Sequence, residues 1–262
     1  MKKKPLVSVI MNCHNCKKFL KKSISSVIKQ TYKNWEIIFW DNNSSDNIRE
    51  IISSFKDIRI KYYKAKKYSK LYKARNLAIN KAKGKYLSFL DTEDWWVSSK
   101  LEKQINIFSK NPKVKLVYSN MFIYLQKNKK KKIFTQNKLP SGIILNELIK
   151  NYQIGIITVI FNRSLIKKYK FNESYEIIGD LDLFIRMSKK NIFQSIQKPL
   201  AYYRWHGKNL SNLKQVTYIK ELNKWLKKNK RLIKINLYSY NSINMTLIKM
   251  YIKYYLRKFI VN

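Results

Sequence analysis

The sequence predicts an α/β fold: a mostly parallel sheet with helices on both faces, plus a C-terminal helical extension. Three observations carry this prediction. Apolar runs of strand length alternate with segments of helical period through the N-terminal part. One run, "WEIIFW" (Trp35 to Trp40), reads as a buried strand. Polar residues directly follow three of the strands, at Asn12 to Asn15, Asp41 to Ser45 and Asp91 to Asp94. Ligands of parallel sheets bind beyond the carboxyl ends of strands, so these groups are expected to converge on one edge.

The elements follow in order. Leu6 to Met11 is an apolar strand, and Phe19 to Gln30 has a helical period. After Trp35 to Trp40 comes a helix from Asn47 to Phe55, with "SSD" as its expected N-terminal cap. "IRIKYY" reads as a short strand, and Leu71 to Lys81 as a helix stopped at Gly84. Tyr86 to Leu90 is the next strand, Ser98 to Ser109 a helix, and "KLVYSNMFIYL" another strand. "LQKNKKKKIF" reads as an exposed hairpin tip. A helix (Leu145 to Asn151), a strand-like "GIITVIF" and a short helix (Arg163 to Tyr169) follow. "GDLDLFIRMSKK" is expected to be helical, and "PLAYYRWH" to form the last strand. From Gln215 the pattern is helical and basic, with Ile248, Ile252, Tyr255, Leu256 and Phe259 on one face. That face suits either packing on the domain or an anionic membrane surface.

With 45% hydrophobic and 14% aromatic residues among 262, the chain can bury a sizeable core, which argues against global disorder. The 56 Lys and Arg against 15 Asp and Glu give a formal charge of +41. Such a field attracts nucleic acid, anionic lipid and phosphorylated ligands alike. AT-rich coding bias accounts for the lysine excess equally well. No RNP-like, helix-turn-helix or zinc-finger signature points to specific nucleic-acid binding. The only cysteines, Cys13 and Cys16, have C-x-x-C spacing, which suits redox chemistry or half a zinc site. No second pair exists, and two incidental reduced thiols are the favoured expectation. With no disulfide framework and no export signal, the cytosol is the expected compartment. No apolar stretch is long enough to span a membrane.

The acidic cluster "DTED" is the sharpest local signal. Asp91, Glu93 and Asp94 crowd like charges together, which costs stability unless a cation or polar ligand relieves it. A helix cap needs one acid rather than three.

Several ordered segments, over roughly residues 5 to 211, resemble family 2 glycosyltransferases of the GT-A fold. "LVSVIMNCHNCKKFLKKSISSVIKQTYKNWEIIFWDNNSSD" is similar to the family's opening, "KARNLAINKAKGKYLSFLDTEDWW" to its acidic-motif segment, "IGDLDLFIRM" to its E-D-x-D-L motif and "YYRWHGKNLS" to its Y-R-x-H ending. The resemblance implies a Rossmann-like sheet whose residues 1–120 bind a nucleotide-sugar and whose residues 121–211 face the acceptor, with 212–262 as basic helices. It implies inverting transfer to an acceptor hydroxyl, with a UDP-sugar as leading donor and a bacterial surface glycan or lipid-linked oligosaccharide as acceptor. Asn12, His14, Asp41 and Asn42 would line the base and ribose pocket, and Arg75 would hold the nucleotide or diphosphate. Glu93 and Asp94, with Asp91 beside them, match the metal-binding motif, and His206 a histidine that reaches metal or diphosphate in some members. Asp180 matches the catalytic base. The chain departs from the pattern at Asn42, Glu93 and Gly179, where the family carries Asp, Asp and Glu.

The chemistry fits those residue types. A departing diphosphate gains negative charge that a divalent ion stabilises. Mg2+ takes one or two protein carboxylates, and Mn2+ accepts the same oxygen ligands. One carboxylate in reach of the acceptor hydroxyl suffices as base, and Asp180 can serve while also sitting at a helix N-terminus. Asp182 is expected to support structure. One of Trp95 and Trp96 is expected in the core. His206 suits a ligand role and a buried polar role equally. The competing class is a basic nucleic-acid-binding or metal-dependent phosphoryl-transfer protein, and a third is a catalytically silent binding module. The expected placement is cytoplasmic, on the inner face of the membrane if the basic helices bind lipid.

Overall fold

The computed structural model describes residues 4–230. Among these, nine strands form one sheet in the order β3-β2-β1-β4-β8-β6-β9-β5, with β7 paired to β6. The first four follow the expected rhythm: β1 (Val7–Cys13), α1 (Lys17–Ile28), β2 (Trp35–Asp41), α2 (Ile48–Ser53), β3 (Ile60–Lys64), α3 (Leu71–Ile79) and β4 (Tyr86–Phe89). β1 pairs in parallel with β2 and β4, and β2 with β3. All seven residues of β2 are buried, as a strand covered on both faces requires. α3 packs on β1 and β2, and α1 on α2.

All pairings in this half are parallel, whereas the rest of the sheet is mixed. Beyond it come β5 (Trp95–Trp96), α4 (Lys100–Lys110), β6 (Val114–Leu125), β7 (Lys130–Ile133), α5 (Leu145–Lys150) and β8 (Ile160–Asn162). β8 runs antiparallel to both β4 and β6. The basic run is a hairpin, with Phe122 to Leu125 paired to Lys130 to Ile133. "GIITVIF" is divided, its middle forming a tight 3-10 turn at Ile156–Thr158 before β8. Arg163–Lys167 is likewise a 3-10 turn. After α6 (Gly179–Ser188), the 14-residue β9 (Ile192–Trp205) lies parallel to β6 and antiparallel to β5.

α7 (Leu210–Leu213) leads into α8 (Gln215–Lys228). The latter buries Ile219, Leu222, Trp225 and Leu226 in the same hydrophobic core as the sheet. Each such side chain contributes about 1.5–3 kcal/mol by burial, so this helix is part of the body. No helix among the described residues is long and apolar enough to cross a membrane. The predicted face of Ile248 to Phe259 lies outside the described residues.

Two local expectations are corrected. "SSD" does not cap α2, whose N-terminus carries no side-chain cap. Asp46 instead accepts the Lys17 N–H at 3.1 Å, across to α1. The two cysteines are not free thiols: Cys13 and Cys16 are joined, with Cα atoms 5.6 Å apart. Asn15, at φ +52°, turns the chain sharply between β1 and α1 and brings them together. The cytosolic expectation therefore loses the part of its argument that rested on reduced cysteines.

Gly84 is required by close approach. A Cβ there would sit 2.5 Å from the Ser8 backbone nitrogen. Its N–H donates to Ser8 Oγ at 2.8 Å, and that hydroxyl donates to buried Glu36 at 2.6 Å.

Candidate active site

The carboxyl ends of β1, β2 and β4 form one edge. Register sets Cys13 beside Asp41, and the Leu90 N–H reaches the Ile10 carbonyl at 3.1 Å. Asn12, His14, Asp41 and Asn42 gather there. Asp41 is buried and fully engaged: Oδ1 accepts the Ser44 N–H at 2.8 Å and Oδ2 the Tyr62 hydroxyl at 2.6 Å. Asn42 clamps the following loop, donating to the Ser69 carbonyl at 2.6 Å and accepting the Ser69 N–H at 3.2 Å. An aspartate there could not make the first of these bonds. His14 is exposed, 3.2 Å from the Asn42 carbonyl, and its ring lies 4.7 Å from that of Tyr68. The Asn12 side-chain nitrogen has no hydrogen-bond partner in the protein.

Beyond the end of β4 opens a cleft of about 730 Å³. Tyr72, Arg75, Asp91, Glu93, Asp180 and Trp205 are among its walls. Four of the expected residues, from three parts of the sequence, therefore share one cavity. Arg75 is buried and pairs with Asp91 at 2.7 Å. Burial opposes its charge, but Asp91, Tyr72 and Asp180 outweigh that and hold it protonated. A lone buried cation of this kind needs anions around it, and the cleft supplies them.

Asp180 opens α6 half-buried. Its Oδ1 accepts the Leu181 N–H at 2.9 Å and lies 3.2 Å from the Tyr72 hydroxyl. Burial pushes its carboxyl above the ordinary range, while Arg75 and these hydrogen bonds pull the other way. A carboxylate raised in this manner is a better proton acceptor near neutrality. Asp182 does what the sequence suggested, accepting from Arg186 at 2.8 Å and from Trp225 at 3.1 Å.

The acidic cluster divides. Asp91 and Glu93 line the cleft; Asp94 does not. Asp94 is fully buried, with Oδ1 accepting the Arg204 N–H at 2.7 Å and Oδ2 unpartnered. Burial, with the charges of Asp91 and Glu93, drives its carboxyl well above the usual range. Asp94 directly precedes β5, which pairs with β9, and its contact with Arg204 is to that same strand. Trp96 is buried and Trp95 half-exposed, stacked on Tyr202 at 4.8 Å.

Glu93 meets His206, with Oε2 and Nε2 2.6 Å apart, and accepts the Asn209 side-chain N–H at 2.8 Å. No group of three or more His, Cys, Asp or Glu side chains among the described residues forms a metal cage. The chemistry of Glu93 and His206, both partly exposed, suits a divalent ion that draws its other ligands from diphosphate and water.

Sequence reasoning missed Tyr72, Arg204, Asn209 and Glu221. Glu221 carried a signal, being the sole acid after Asp182.

Residues 8–193 match the description "Glycosyl transferase family 2". The chain is 39% identical over 191 residues to the Escherichia coli protein WfgD, a UDP-Glc:alpha-D-GlcNAc-diphosphoundecaprenol beta-1,3-glucosyltransferase, covering 73% of each chain. It is 34% identical over 219 residues to WfaP, an Escherichia coli protein of the same described activity, covering 83% of this chain and 84% of that one. Among solved structures, the mannosyltransferase PcManGT from Pyrobaculum calidifontis, in complex with GDP-Man and Mn2+, superposes with a TM-score of 0.68 at 14% identity, over 95% of this chain and 72% of that one. TarS 1–349 of S. aureus, in complex with UDP-GlcNAc, gives 0.64 at 16% identity, over 84% of this chain and 66% of that one. Fold, matched family and relatives agree: the chain is a glycosyltransferase of the GT-A fold and belongs to glycosyl transferase family 2.

Proposed function

We propose that this glycosyltransferase moves a sugar from a UDP-sugar, glucose first among candidates, to a hydroxyl of a lipid-linked, diphosphate-bearing glycan in bacterial surface polysaccharide synthesis. The observation that carries the reading is the cleft that joins Arg75 and Asp91 to Asp180. A buried guanidinium and a half-buried carboxylate lining one cavity support a reading in which the first meets the leaving diphosphate and the second the acceptor. Identity above 30% to two relatives named for UDP-Glc and a diphosphoundecaprenol-linked acceptor supports the substrate class.

In this reading Asn12, His14, Asp41 and Asn42 bound the nucleoside side, and Arg75 with Asp91 orients the diphosphate. Glu93 and His206, with Asp91 beside them, would hold Mn2+ or Mg2+. When bound, that ion stabilises negative charge on the leaving diphosphate. Asp94 is assigned the task of fixing the Glu93 loop. Asp180 takes the acceptor hydroxyl proton as oxygen attacks the anomeric carbon from the face opposite the diphosphate, inverting it. The lipid anchor of such an acceptor would bring the enzyme to the inner membrane face.

The test incubates the full chain with UDP-glucose, Mn2+ and a synthetic α-GlcNAc-diphosphate lipid. Acceptor-dependent release of UDP and a product one hexose heavier are expected. Absence of both, with UDP, GDP and CMP each failing to raise the melting temperature, overturns the proposal.

A further inference from the structure

We infer that Glu221, on α8, is a positioning residue that holds the segment carrying the catalytic carboxylate. The inference rests on the reading of Asp180 as base. The Glu221 carboxylate accepts three successive backbone N–H groups: Glu176 at 2.6 Å, Ile177 at 2.9 Å and Ile178 at 3.2 Å. Consecutive amides turned toward one anion form a nest, and hydrogen bonds to a charged acceptor are about twice as strong as neutral ones. The segment so held is not remote: Glu176 and Ile177 themselves line the cleft, and Ile178 immediately precedes α6. From the other side, the Tyr72 hydroxyl shares its one proton between the Ile177 carbonyl at 2.6 Å and Asp180 Oδ1 at 3.2 Å. The segment is thus gripped through its amides by α8 and through a carbonyl by α3.

Two further contacts tie α8 to the same place. Trp225 donates to Asp182 at 3.1 Å, and Lys214, just before the helix, pairs with Glu176. The N-terminal turn of α6 is thereby fixed relative to α8 at several points. Both α8 and Glu221 lie beyond the family-matched residues 8–193. The base is therefore held in part by a segment beyond residues 8–193. Glu221 touches no reacting atom. Its work is to hold Asp180 where the acceptor hydroxyl arrives, and a misplacement of about 1 Å costs on the order of 100-fold in rate.

The test compares E221A, E221Q, D180N and the double variant D180N/E221A in the full chain. UDP release is followed with UDP-glucose and the synthetic lipid acceptor, UDP binding by calorimetry, and folding by thermal melting. E221A is expected to lower kcat about 30- to 100-fold with UDP affinity unchanged. E221Q, which keeps one acceptor oxygen, is expected to fall between it and wild type and serves in its place if E221A melts out. The double variant should be no slower than D180N alone, because a residue acting only through Asp180 has nothing left to position. Wild-type kcat in a folded E221A or E221Q overturns the inference, as does a full further loss in the double variant. Full turnover by D180N overturns instead the reading of Asp180 as base.

Discussion

Gly179 and Tyr72 are fitted to each other: a Cβ at position 179 would lie 2.5 Å from the Tyr72 ring. The departure from the family's Glu before the base therefore has a physical reason. The aromatic ring fills the space a side chain would need, and its hydroxyl reaches both the Ile177 carbonyl and Asp180. Gly179→Ala is expected to displace that ring. Overpacking of this kind costs about 1–3 kcal/mol, and kcat should fall about tenfold or more as the Tyr72–Asp180 contact opens. Thermal melting together with UDP-release kinetics checks it. An unshifted melting temperature with normal kcat would show that the ring has room to move.

Glu93 and Asp94 are expected to separate cleanly on mutation. Glu93→Ala removes the cleft-facing carboxylate and should abolish the Mn2+-dependent part of UDP binding while leaving the melting temperature nearly unchanged. Asp94→Ala strands the buried Arg204 N–H and should cost about 1–3 kcal/mol of stability. Calorimetry with and without Mn2+, beside thermal melts, distinguishes them. Loss of metal-dependent binding in a stable Asp94→Ala protein would return the ligand role to Asp94.

That pair shows where the sequence could and could not be read. The strands and helices up to Phe89 follow from local periodicity, because each buries its own apolar pattern. The convergence of Asp41, Asp91 and Glu93 then follows from parallel topology. Which of three neighbouring acids is turned away from the cleft depends on a contact 110 residues away, at Arg204, and no local pattern encodes it. The Cys13–Cys16 bond likewise depends on the turn at Asn15. Glu221 reads as one acid in a basic helix until its three amide partners are placed beside it. "GIITVIF" reads as strand-like throughout, and so short an apolar run encodes neither the 3-10 turn in it nor the antiparallel direction of β8.

The acidic limb of the rate profile should report Asp180. The base acts deprotonated, so kcat rises with pH through its pKa, which burial holds above the ordinary 3.8. Tyr72→Phe deletes a hydrogen bond that favours the carboxylate, so the limb should move to higher pH, with kcat at neutral pH falling by about tenfold at most. Profiles of the two proteins from pH 4 to about 9 make the comparison. A limb that moves to lower pH, or disappears only in Asp180→Asn with Tyr72→Phe unchanged, would remove the hydroxyl from the site's electrostatics.

Lys100 offers a test of the core beneath the site. It is fully buried, with Nζ 2.8 Å from Gln104 Oε1, 3.1 Å from Ser88 Oγ and 4.0 Å from the Trp96 ring centroid. None of these partners is a carboxylate, and burial holds the ammonium well below the usual lysine range. In the unfolded chain the same lysine titrates at about 10.5, so between the lowered folded value and 10.5 the unfolded state binds the extra proton. Stability of the wild type must then rise with pH across that window, at up to about 1.4 kcal/mol per pH unit from this group. Lys100→Met deletes the titration while roughly keeping volume. Its stability relative to wild type should be highest at acidic pH and decline steadily toward pH 10. Urea melts across that range provide the measurement, and a pH-independent difference would mean that Lys100 stays charged in the fold.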